Sequence, residues 1–87
     1  MNMNETQKNL DKLFDVLSEV LNVPKASIDL NTSCANVESW DSLGTIGLIS
    51  SLEAAFSISF KIEEIEYIVS TLAIIELLKL KGVEFCS

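Results

Sequence analysis

The chain predicts an all-α fold: a small four-helix bundle, three helices longer and one short, with a long loop after the first. Three observations carry this. Apolar residues recur at helical spacing in several separate stretches. Only three glycines and one proline interrupt 87 residues, of which 48% are hydrophobic and mostly aliphatic. The one alternating run, Phe56 to Ile62, finds no second strand to pair with. This length suits one domain over 1–87, with a helical core over about 5–81.

Leu10, Leu13, Phe14, Leu17, Val20 and Leu21 share one face and predict a first helix from Glu5 to Asn22. Asp11, Lys12, Asp15 and Glu19 take its other face. Asn4 or Thr6 is its expected cap, and Pro24 its expected stop. Lys25 to Ser39 reads as a long ordered loop anchored inward by Ile28, Leu30 and Val37. A second helix is expected from Asp41 to Ala55 or Phe56, with Thr45, Leu48, Ile49, Leu52, Ala55 and Phe56 toward the core. Leu43, Gly47, Ser50 and Ala54 form a neighbouring, mostly small stripe.

Ile58 and Phe60 pin a connecting segment. Ile62, Ile65, Ile68 and Val69 predict a short acidic helix with Glu63, Glu64 and Glu66 outside. Leu72, Ile74, Ile75 and Leu78 predict a last helix to Lys81, where Lys79 and Lys81 suit the negative helix end and Gly82 suits a stop. Val83 to Ser87 are expected as a flexible tail.

Six basic against thirteen acidic residues give a net charge of −7. Such a surface repels nucleic acid and anionic membranes, and favours partners with basic patches whose docking weakens with salt. Cys34 and Cys86 read as free thiols in a reducing cytoplasm, because Met1 to Asn9 is polar and unlike a secretory signal. No run is apolar enough to insert in a membrane. The acids Glu63, Glu64 and Glu66 lack calcium-loop spacing and read as solvated, so no metal site is expected. The chain has no histidine, so Cys34 has no imidazole base and reads as an inert or half-buried thiol.

Trp40-Asp41-Ser42-Leu43 joins the polar loop to the second helix. If Asp41 caps the helix, Ser42 takes the first helical position with its hydroxyl in solvent. A phosphate ester would be favoured there by the helix dipole. Taken alone, the tetrapeptide reads first as a capping pair. Trp40 reads as a structural plug. Leu43 and Ile46 read either as an exposed docking pair or as the border of the core.

In order and spacing, the pieces add up to more. Leu21-Asn22-Val23-Pro24, Ile28-Asp29-Leu30-Asn31-Thr32-Ser33, Asp41-Ser42-Leu43 and Leu52-Glu53 to Phe56, followed by the short and closing helices, resemble an acyl carrier protein of the discrete bacterial type from Leu10 to Leu80. The resemblance implies a covalent 4′-phosphopantetheine arm on Ser42, donated by coenzyme A through a phosphopantetheinyl transferase. It implies a non-catalytic, monomeric carrier of thioester-linked acyl groups, handed among acyl-loading and acyl-transferring enzymes. Asp41 would serve arm transfer and Leu43 the arm's root. Leu43, Ile46, Gly47, Glu53, Glu63 and Glu64 would dock partners. Family members can also partly enclose the acyl chain among their helices.

The chain departs from that pattern where Gly44, Gly47 and Ala54 replace expected acids of the second helix. This favours a specialised lipid, polyketide or surface-polysaccharide pathway over ordinary fatty-acid synthesis. The glycines would serve close approach of a partner or the arm, or, preferred, reflect drift on an exposed face. Two other readings remain: an aminoacyl or peptidyl carrier using the same serine, and an acidic interaction module that is never modified.

Overall fold

A computed structural model describes residues 5–85, with side chains from Lys8. Four α-helices are present among the described residues: α1 (Glu5–Leu21), α2 (Ser42–Phe56), α3 (Ile62–Ile65) and α4 (Thr71–Leu80). The predicted all-α bundle is the observed one. The expected cap at Asn4 and the thiol of Cys86 lie outside the described residues, and Thr6 lies within α1 rather than before it.

Leu13, Leu17 and Leu21, one turn apart on α1, are fully buried. Leu48 and Leu52 of α2 meet them in the core, with Ile68 and with Ile74 and Leu78 of α4. Each such side chain contributes about 1.5–3 kcal/mol by leaving water. The first helix ends one residue earlier than expected, and Pro24 is not what stops it. Asn22 adopts a left-handed conformation (φ 58°), and the Val23 N–H donates back to the Ser18 carbonyl. Asparagine tolerates that geometry, so it closes the helix before proline acts. Pro24 instead precedes a 3₁₀ turn over Lys25–Ser27.

Ile28 is buried and Val37 half-buried, as expected of loop anchors, but Leu30 is exposed. The loop is held by polar bonds in its place. Asp29 accepts from the Asn31 N–H and from the Thr32 hydroxyl, tightening the turn. The carbonyl of Thr32 then accepts from both the N–H (2.9 Å) and the hydroxyl (3.0 Å) of the buried Thr71. The Cys34 N–H donates to the Val69 carbonyl at 2.9 Å, and Ser33 bridges Ser70. This clip ties mid-loop to the start of α4, which Ser70 caps by accepting from the Ala73 N–H.

Apolar pattern overstated burial in the second half. Ile62, Val69 and Leu72 are exposed, while Leu77, absent from the expected face, is buried. A helix of only four residues has no far side to hide Ile62. Beyond α4, Gly82 turns the chain at φ 93°. Phe85 is buried against Phe56, ring centroids 6.2 Å apart, and the Asn9 amide donates to the Glu84 carbonyl. Residues 83–85 thus run along the ends of α1 and α2.

Candidate functional site

The site begins with a cap. Asp41 precedes α2 in extended conformation, and its Oδ1 accepts the Gly44 N–H at 2.9 Å. Its carbonyl accepts from the Thr45 N–H, the first turn's own bond. Ser42 therefore occupies the first helical position, and it is exposed. Backbone N–H groups left without helical partners crowd this end and favour an anion beside it.

Trp40 fixes the entry to that turn. It is buried, and its indole N–H donates to the Ile68 carbonyl at 3.2 Å. It is the expected plug, and it joins the start of α2 to the segment after α3. A groove of about 400 Å³ opens between them, lined by Ser42, Thr45 and Ile46 of α2, by Ile65, Glu66, Ile68 and Val69, and by Cys34 and Trp40. Ser42 thus stands on the edge of a largely apolar trough. Cys34 is exposed there, not half-buried. The clip to Val69 holds its backbone at the surface.

Leu43 and Ile46 are 79% and 63% exposed, which decides against a core border. The glycines have a reason that neither expectation supplied. A methyl on Gly44 would collide with the Ser39 carbonyl oxygen, and one on Gly47 would meet Val20 Cγ1 at 3.0 Å. Both glycines face inward, where α2 passes close to α1 and the loop end. They are not drift on an exposed face. The outer stripe of α2 is Leu43, Ile46, Ser50 and Ala54.

The remaining acids differ in kind. Glu53 is half-buried, and its Oε2 accepts the Phe60 N–H at 2.9 Å, holding the α2–α3 connection. Glu64 accepts the Lys61 N–H at 2.8 Å and the Lys81 ammonium at 2.7 Å. The Lys61 N–H first, and Lys81 second, hold its carboxyl below the usual glutamate range. Glu63 and Glu66 are exposed. No metal-holding group of acids, cysteines or histidines occurs among the described residues. No helix there is long and apolar enough to cross a membrane.

The structure brings Ser42, Asp41, Leu43 and Ile46 to one end of α2, and gives Gly47, Glu53 and Glu64 structural duties. Ile65, Val69 and Cys34 escaped the sequence reading as walls of the groove. A hydroxyl exposed beside an apolar trough fits a long pendant group joined through an ester: the oxygen is accessible and the trough can shelter the chain.

No curated protein matches the chain at a significant level. The family model described as phosphopantetheine attachment site matches residues 11–78, which takes in α2, the groove and most of the core. The chain therefore belongs to the phosphopantetheine attachment site family, alongside the acyl carrier proteins, and is a carrier for covalently attached 4′-phosphopantetheine.

Proposed function

We propose that Ser42 is the attachment residue and that the chain is a dedicated acyl carrier of a specialised lipid, polyketide or surface-polysaccharide pathway, acting in the cytoplasm as a single monomeric unit. One observation carries the reading: Ser42 is exposed at the first turn of α2, on the edge of the apolar groove, inside the matched segment. When bound, the arm supplies a terminal thiol on which acyl groups travel as thioesters.

The chain's own residues hold and present. Asp41 fixes the first turn, on which Ser42 stands. Trp40 pins that turn to the Ile68 carbonyl. Ile46, Ile65 and Val69 offer apolar cover close to Ser42. Leu43 projects beside it, where an enzyme reaching for the hydroxyl must make contact. No residue of the chain is asked to do chemistry on the cargo.

The test is intact-mass measurement after incubation with coenzyme A and a broad-specificity phosphopantetheinyl transferase. Wild type gains the mass of one arm and Ser42→Ala gains none. An unmodified wild type, beside a modified control carrier, refutes attachment and leaves an interaction module. Arm addition to Ser42→Ala refutes the residue. Mass analysis of the cargo on protein from its native cell separates acyl from aminoacyl or peptidyl carriage.

A further inference from the structure

We propose that the concavity between the end of α1 and the long loop takes an arginine side chain of the enzyme that attaches the arm. This rests on Ser42 being the attachment residue. The concavity is separate from the groove: it measures about 580 Å³, and no residue lines both. It lies close to the Ser42 hydroxyl all the same. Ser39 lines it and stands three residues before Ser42, so no more than about 11 Å of chain separates them. An enzyme that covers Ser42 therefore comes within a long side chain's reach of it.

Its lining is of two kinds. Leu21, Val23 and Val37 contribute apolar surface, the first buried and the others half-buried. Asp29, Asn36 and Glu38 are exposed and bring two carboxylates and an amide. The ligand that suits both is a chain of methylenes ending in a cation. No cation of the chain lines the concavity. Lys25, close by in sequence, is taken by Asp11 at 2.6 Å and Asp15 at 2.9 Å. The same carboxylates repel the phosphates of coenzyme A, so the concavity is not a seat for the arm's donor. The Asn36 amide nitrogen donates to the Asn31 carbonyl at 2.8 Å, which leaves its oxygen as a further acceptor. Several acceptors around one space suit the five-donor fork of a guanidinium better than the compact ammonium of lysine. The shape is also set in advance. The Ser39 hydroxyl donates to the Leu21 carbonyl at 2.7 Å, and the Ser18 hydroxyl to the Val23 carbonyl at 2.6 Å. A site already formed loses less conformational freedom when it is filled.

The test has two parts, both on the whole chain. In the first, Nα-acetyl-arginine amide is titrated in and backbone amide shifts are followed by nuclear magnetic resonance. Saturable shifts are expected at Val23, Asp29, Asn36 and Val37. Nα-acetyl-lysine amide should bind more weakly, and Nα-acetyl-citrulline amide, the uncharged isostere, about fivefold more weakly still. An equal or stronger response to either, or no shift at these residues, overturns the proposal. The second part measures arm transfer by a broad-specificity phosphopantetheinyl transferase. At roughly 0.05 M salt, Glu38→Gln should raise KM about fivefold with kcat unchanged, and the difference should vanish near roughly 0.5 M. Glu76→Gln removes the same charge from an exposed position of α4, and should change KM less than about twofold. Equal effects of the two substitutions, or none from Glu38→Gln, overturn the proposal while attachment stands. A wild type that accepts no arm overturns attachment, and the proposal with it.

Discussion

Gly44 is the position where the fit between α2 and the loop is most exposed to test. Replacing glycine by alanine in a helix normally gains about 1 kcal/mol. Here the new methyl would run into the Ser39 carbonyl, a backbone atom, and the Ser39 hydroxyl is itself tied to the Leu21 carbonyl at 2.7 Å. Overpacking against a part that cannot turn aside costs about 1–3 kcal/mol. The clash outweighs the propensity gain, and Gly44→Ala should lose up to about 2 kcal/mol, a fall in Tm of up to roughly 15 °C for a domain this small. Gly47→Ala should behave oppositely. Its methyl meets the tip of the half-buried Val20 side chain at 3.0 Å, which needs a shift of only a few tenths of an ångström. There the propensity gain prevails, and stability should hold or rise by up to about 1 kcal/mol. Urea unfolding followed by far-ultraviolet circular dichroism measures both. A Gly44→Ala protein as stable as wild type, or a Gly47→Ala protein that loses more, refutes the inward placement of the glycines.

Asp41 separates capping from chemistry. Asp41→Asn keeps a side-chain acceptor for the Gly44 N–H and should hold stability, whereas Asp41→Ala should lose about 1 kcal/mol in denaturant titration. If Asp41 also serves the transferase through its charge, Asp41→Asn slows arm addition with its unfolding midpoint unchanged. Glu64 gives a pH signature. Its carboxyl is depressed by the Lys61 N–H and by Lys81, so its contribution is complete above the ordinary glutamate pKa and is lost as pH falls through the folded value. Glu64→Gln should therefore be less stable than wild type at neutral pH, and the two unfolding curves should converge in acid; a gap that persists there refutes the assignment.

The helices were legible because their apolar faces repeat at the helical period, and Asp41 as a cap was legible from its place before that repeat. Side-chain chemistry that acts across the chain was not. Nothing local marks Thr32 and Thr71 as partners thirty-nine positions apart, nor Asn9 as the holder of the Glu84 carbonyl. Leu30, Ile62 and Leu72 fit apolar patterns yet stay in water, because burial depends on whether a neighbour arrives to cover them. The glycines misled for the opposite reason. Their spacing suits an outer stripe, and only the proximity of Val20 and Ser39 reveals that they face in. The exposed place of Ser42 at the start of α2 was legible because it depends on local sequence: a polar loop, then an acid that caps the first turn.

Trp40 is the chain's sole indole, and it forms part of the groove wall beside Ser42. Nature has thereby left a lamp beside the proposed attachment residue. Light emitted from this ring is sensitive to how much water or hydrocarbon surrounds it, so a loaded and an empty carrier should differ in colour without any dye. If the arm's cargo lies in the groove, its capture by an acceptor enzyme becomes an event that can be timed in a stopped-flow cell on the unlabelled protein.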